Sequence, residues 1–174
     1  MEFNDLVKIR RSVRAYKDEP VKEEDIKTII ECALQAPSWR NSETGRYYVA
    51  LGKEAIEEIY NDLPGFNQNS SKNAAYIVAT FKTGESGYAS DGPTKYGDIW
   101  GGYDLGLQNA YLLLKASELG YDTLIMGLRD EDKIREYFNI PENEIILPVI
   151  AIGKRNQNPT DKPRKSLEEV LKIK

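Results

Sequence analysis

Apolar residues at Ile26, Ile29, Ile30 and Ala33 keep the i, i+3, i+4, i+7 spacing of a helix with one buried stripe. Glu23, Glu24 and Asp25 precede them, placing negative charge in a first turn where the helix dipole favours it. Pro37 ends the segment, because the residue before a proline avoids helical backbone angles. The same pattern predicts a short first helix carrying Leu6 and Ile9, capped by Asn4 or Asp5. It also predicts a helix over 54–62, closed by Pro64-Gly65, and one over 130–138 with Ile134, Tyr137 and Phe138 inward. Residues 98–119 form the longest helical stretch, with so little polar surface that a central buried helix is expected. Gly101, Gly102 and Gly106 lower its propensity, which a close approach of another backbone would explain, and Gly120 stops it in a left-handed cap.

Strands are predicted at 47–51, 74–81, 122–127 and 145–153 from β-branched, aromatic and continuous apolar content. Pro148 cannot donate to a ladder, so the last of these has a strand edge or a bulge there. Polar loops are expected at 38–44 and 67–71, and a long Gly-, Ser- and Asp-rich excursion at 83–96. Helices and strands interleave, as in a single sheet covered on both faces, with strand order left open. The chain reads as one domain over 1–174, and its tail from 154 needs a surface to lie on, either this domain or a second subunit.

Composition narrows the chemistry. With 40% hydrophobic and 30% charged residues the chain is of globular type, and no run approaches the ~18 apolar residues of a membrane span. Neither a secretory signal nor a disulfide is expected; Cys32 stands alone on a helix, as a core residue, and a cytoplasmic address follows. The absence of histidine removes Ser-His-Asp and Cys-His catalysis and the usual zinc sites. A net charge of −4 argues against a nucleic-acid footprint, so the basic clusters near both ends are local exceptions. Glycine-rich nucleotide motifs of the GxGxxG and P-loop types are missing.

The first basic cluster is Arg10-Arg11-Ser12-Val13-Arg14. In an extended chain Arg10, Ser12 and Arg14 share one face, with Arg11 and Val13 on the other. Guanidinium forks and a hydroxyl in a row suit the oxygens of a phosphate. Taken alone, the cluster reads equally well as solvated charge at a helix end.

Four features in order then coincide: this row, the loop Pro37-Ser38-Trp39-Arg40-Asn41, the Leu-rich helix ending at Gly120, and the basic tail Lys162-Pro163-Arg164. With Leu-Gly-Tyr-Asp-Thr followed by Met-Gly, they resemble the nitroreductase family of FMN-dependent oxidoreductases over about residues 6–170. The resemblance implies an α+β fold, a mostly antiparallel sheet covered by helices, in an intertwined homodimer with the tail on the partner. FMN would be the cofactor and NADH or NADPH the co-substrate, with no nucleic-acid or membrane partner. Arg10, Arg11, Ser12 and Arg14 would then hold the flavin's phosphate, ribityl chain and pyrimidine edge, with Lys162 and Arg164 closing on the phosphate. Pro37, Ser38, Trp39 and Asn41 would enter the site from the other subunit. Asn67 would bond the ring edge, and the backbone at Met126, Gly127 and Leu128 would face N5 and O4. No side chain is expected to be catalytic, since the flavin carries the chemistry. Two departures stand out: Ser70 where many relatives have Lys, and Glu43-Thr44-Gly45 in place of the family's usual Gln-Pro-Trp. The implied activity is electron transfer from NAD(P)H to nitroaromatic, quinone or similar acceptors in a ping-pong cycle. A flavin- or nucleotide-binding sensor of the same fold is the alternative.

Overall fold

The apolar pattern locates every predicted helix and strand, and the fold adds a helix, a small hairpin and a final helical turn. The computed structural model describes residues 2–174. Its helices and strands run α1 (Phe3–Ile9), α2 (Glu23–Ala33), β1 (Gly45–Ala50), α3 (Lys53–Asn61), α4 (Gly65–Ser71) and β2 (Ala75–Lys82). There follow the short strands β3 (Tyr88–Ala89) and β4 (Gly92–Pro93), then α5 (Ile99–Glu118), β5 (Asp122–Met126), α6 (Glu131–Phe138), β6 (Glu144–Gly153) and α7 (Leu167–Val170). Four strands make one sheet in the order β1-β2-β6-β5, antiparallel throughout. Strand alternation sorts its core into two layers: Tyr76 and Val78 pack with Ile59 and Ile134, while Ala75 and Ile77 pack with Ile29 and Leu112. Helices α2 and α5 therefore cover one face, and α3 and α6 the other. No helix is long and apolar enough to cross a membrane among the described residues.

Pro148 sits in a central strand, at a bulge. Val78 pairs with Val149 and Thr80 with Ile146, so two steps of β2 oppose three of β6. The extra residue accommodates the missing N–H and puts Ile146 and Val149 in the same core layer.

Several local expectations are corrected. Glu2, not Asn4 or Asp5, occupies the N-cap of α1 and makes no side-chain cap bond; Asp5 lies inside the first turn. Residues 65–71 are helical despite their polar sequence, because tertiary hydrogen bonds replace an apolar stripe. Gln68 Nε2 donates to Tyr60 O at 3.0 Å, and Asn67 Nδ2 donates to Leu128 O at 2.9 Å. Tyr137 is exposed, its ring edge-on to Phe138, and Cys32 is only partly buried. Gly101 admits the ring of Phe81, 2.3 Å from where a Cβ would be, so a side chain and not a backbone makes the close approach; a Cβ on Gly106 would meet nothing.

Helix α5 departs furthest from its expected role. It buries Asp104, Gln108 and Asn109 and exposes Ile99, Tyr103 and Tyr111. Asp104 serves the loops at Trp39 and Ser86, Gln108 accepts from Tyr47 of β1, and the three exposed side chains face away from the core that Leu105 and Leu112 enter.

Candidate functional site

The basic row is pinned by its one apolar member. Arg10 ends α1, and the chain then extends beside β5, where Ser12 pairs in parallel with Thr123 and Val13 N donates to Thr123 O at 3.0 Å. Val13 is fully buried, so its neighbours Ser12 and Arg14 must turn outward. Farther on, Tyr16 pairs with Arg155, bringing the start of the tail alongside. The tail doubles back and a cavity of about 430 Å³ opens between the two segments. Arg10, Arg11, Ser12 and Arg14 form one wall, and residues 157–160 with Lys162 and Arg164 form the other.

Arg11 therefore lines the same cavity as its neighbours, against the strict alternation predicted for an extended chain. It is turned by an ion pair to Asp161 and by donating to Arg10 O at 2.8 Å. The cavity holds five cationic side chains, and among the described residues only Asp161 pairs with one of them. Burial, then the charges of Arg11 and Arg164, pull the Arg10 guanidinium below its ordinary pKa. Arginine stays charged at neutral pH, so an anion would relieve the crowding. A phosphate supplies the required charge and oxygen geometry.

At the other end of β5 lies a second polar cluster. Four strand steps separate Thr123 from Gly127, ~13 Å at ~3.3 Å per residue. Between them Ile125 is half exposed on the sheet, while the Met126 side chain is buried in the core, leaving only its backbone for contact. Asn67 on α4 donates from Nδ2 to Leu128 O at 2.9 Å. Ser70 lies one helical turn further along α4, half-buried. A cation-lined cavity, an apolar step and a polar loop thus follow one strand.

The loop expected to enter the site from a second subunit stands apart from the cavity of its own chain. Pro37, Ser38, Trp39 and Asn41 stand against the N-terminal half of α5 and line no part of the basic cavity. Trp39 N donates at 3.0 Å to Asp104, a carboxylate only 2% exposed, which also accepts from Ser86 Oγ at 2.6 Å. The Trp39 ring packs on Trp100 with centroids 4.9 Å apart. Arg40, Asn41 and Glu43 all take positive φ (46°, 55° and 49°), a conformation that costs non-glycine residues ~1–3 kcal/mol each. Arg46 Nη1 to Glu43 O (2.8 Å) and Glu43 N to Ser38 Oγ (3.1 Å) help hold that shape. Gly45 follows because a Cβ there would lie 1.9 Å from Gln108 Oε1. Its departure from the family pattern leaves room for a buried amide.

Sequence reasoning missed Asp104, Gln108 and Arg129. The available signal was an acid and two amides inside an apolar helix, and an arginine just ahead of a helix start.

The profile described as "Nitroreductase family" matches residues 7–84 and 72–154. A protein of Archaeoglobus fulgidus, named as a candidate NADH dehydrogenase/NAD(P)H nitroreductase, is 27% identical, spanning 85% of this chain and 82% of its own. The NADPH-flavin oxidoreductase of Vibrio harveyi is 29% identical over 88% of this chain and 66% of its own. Among solved structures, a candidate nitroreductase of Exiguobacterium sibiricum in complex with FMN superposes with a TM-score of 0.88. That superposition is at 23% identity and covers 100% of this chain and 98% of the other. With a profile match that spans most of the chain and the same sheet and helices in the structure, the protein belongs to the nitroreductase family.

Proposed function

We propose that the protein is an FMN-dependent NAD(P)H oxidoreductase. The observation that carries this reading is the cation-lined cavity at one end of β5 with an exposed polar loop at the other. Arg10, Arg11, Ser12 and Arg14, with Lys162 and Arg164, would hold the phosphate, and Arg14 offers a cation for the negative charge of a reduced ring. The half-exposed Ile125 gives an apolar surface for a flat ring, and Asn67, Ser70 and the backbone at Gly127 and Leu128 supply polar edges. When bound, a flavin supplies hydride chemistry: electrons enter from NADH or NADPH in one half-reaction and leave to a quinone, nitroaromatic or similar acceptor in the other. The chain's own contribution is binding, orientation and charge.

The site is read as shared between two copies. Two faces support this: the outward apolar side of α5, where Ile99 is 70% and Tyr103 58% exposed, and the tail. Leu167, Val170, Leu171 and Ile173 on the tail are likewise exposed, although a capping box of Ser166 and Glu169 orders the helical turn that carries the first two. A second copy would cover both faces and bring its Ser38–Asn41 loop to the cavity.

The test is the absorbance spectrum of the purified protein, followed by steady-state NADH and NADPH oxidation with a quinone. Flavin bands and turnover are expected. A protein that stays colourless after incubation with FMN overturns the proposal, and bound flavin without turnover favours the sensor reading.

A further inference from the structure

Arg129 is a buried cation that the phosphate cavity does not use. It stands in the loop between β5 and α6 with its side chain 10% exposed, folded back beneath its own backbone. One Nη donates to Gly127 O at 2.6 Å. The other reaches Ile146 O and, at 2.8 Å, Glu131 Oε2. Nε is buried and has no partner among the described residues. A loop arginine free to extend into water would not leave an N–H unmade, so the conformation is kept for the carbonyls it holds.

Those carbonyls decide which way the loop faces. Pairing of β5 ends where Met126 meets Val149, so Ile146 O lies beyond the reach of that strand, and Arg129 takes it instead. Gly127 O is drawn inward by Arg129, and Leu128 O is drawn inward by Asn67. A trans peptide points its N–H opposite to its C=O. The N–H of Leu128 shares a peptide with Gly127 O, and that of Arg129 shares one with Leu128 O. Both therefore point away from the protein interior, and among the described residues neither meets an acceptor. Two adjacent outward amides are a donor site for an atom that gathers negative charge.

We infer that Arg129 is a positioning residue for the flavin: by holding Gly127 O inward it presents the Leu128 N–H to the edge of the ring that becomes electron-rich on reduction. This rests on the flavin reading above. Asn67 does the same for the next amide, so the two peptides are set by different side chains and can be perturbed separately.

The experiment compares wild type, Arg129→Met, which keeps bulk and removes the donors, and Arg129→Lys, which keeps one charged donor. Three quantities are read: FMN affinity, the midpoint potential of bound FMN, and amide exchange of Leu128 in the FMN-bound protein, where the ring is its acceptor. Because the phosphate cavity is remote, Arg129→Met should change FMN affinity by no more than about threefold. It should lower the potential and speed Leu128 exchange by roughly tenfold, with Arg129→Lys lying between it and wild type. An unchanged potential and unchanged exchange in a folded Arg129→Met protein overturn the role. If Arg129→Met does not fold, Arg129→Lys decides: a partial shift of both readouts supports the role, and wild-type values overturn it. A wild type that binds no FMN overturns the flavin reading and this role with it. Bound FMN whose potential ignores both substitutions overturns the role alone.

Discussion

The basic cavity and the tryptophan loop were expected to serve one site, and they are built in opposite ways. The cavity is made of long, mostly exposed cations that repel one another, held by little more than one ion pair between Arg11 and Asp161. The loop of Ser38 to Glu43 is strained, with three positive φ angles, yet tied by Ser38 Oγ and Arg46 and anchored on the buried Asp104. On the function proposed above, the first would be completed by a ligand, whereas the second is complete without one. A surface that waits for an anion tolerates solvent and repulsion. A surface that must present fixed groups elsewhere needs rigidity, and the strain is retained because the surrounding hydrogen bonds over-determine it.

This contrast breaks most sharply at Arg10. Arg10→Ala should leave the fold intact and weaken FMN binding by about 2–5 kcal/mol, because the anion keeps its charge and loses a bidentate partner. Flavin fluorescence quenching measures it, and unchanged affinity would mean that Arg10 only faces solvent.

The next test asks whether the two regions meet across subunits. Arg10→Ala, and separately Ser38→Ala with Asn41→Ala, are each expected to be poor in FMN as homodimers. In a mixed two-fold dimer one site collects both defects and the other neither. A heterodimer isolated through two different tags should then carry near one FMN. Flavin content no higher than in the mutant homodimers would place the site within one subunit.

Removing the anchor of the loop should have a smaller effect, on stability first. Asp104→Ala leaves Trp39 N and Ser86 Oγ without their acceptor, and each hydrogen bond to a charged group contributes ~1.5–3 kcal/mol. Urea unfolding should show a loss of about 3 kcal/mol, at the bottom of the summed range because water re-enters. A change below about 0.5 kcal/mol would mean that the loop holds itself without α5. The smallest effect is expected at Glu43→Gly. Relief of a left-handed glutamate, offset by the extra freedom of glycine when unfolded, should stabilise the protein by at most ~1 kcal/mol. Destabilisation would show that the Asn41–Glu43 bond at 3.2 Å outweighs the strain.

What could be read from the sequence follows from the range of each interaction. Helix α2 is legible because burial repeats with the helical period, so Ile26, Ile29 and Ala33 announce its inner face. The basic row is legible because its charges are neighbours in the chain, and Val13 among them already implies an outward Ser12 and Arg14. Helix α4 is not, since Asn67 and Ser71 are buried through partners at Leu128 and Tyr76 that no local pattern encodes. Asp104 and Arg129 escape for the same reason: a charge in a sequence does not say whether it faces water or a carbonyl.

The sequence by itself therefore determined the apolar-patterned helices, the four strands of the main sheet and the two basic segments, properties set by local periodicity or by adjacent side chains, while its motifs together carried the resemblance to the family. Only the tertiary structure decided that the segments around Arg10 and Lys162 share one cavity, that α5 leaves Ile99, Tyr103 and Tyr111 exposed while burying Asp104 and Gln108, and that Pro148 sits in a central strand at a bulge. It alone decided that Arg129 turns inward to hold Gly127 O. These depend on contacts between residues far apart in the chain, whose cost in loop closure is offset only by the assembled core.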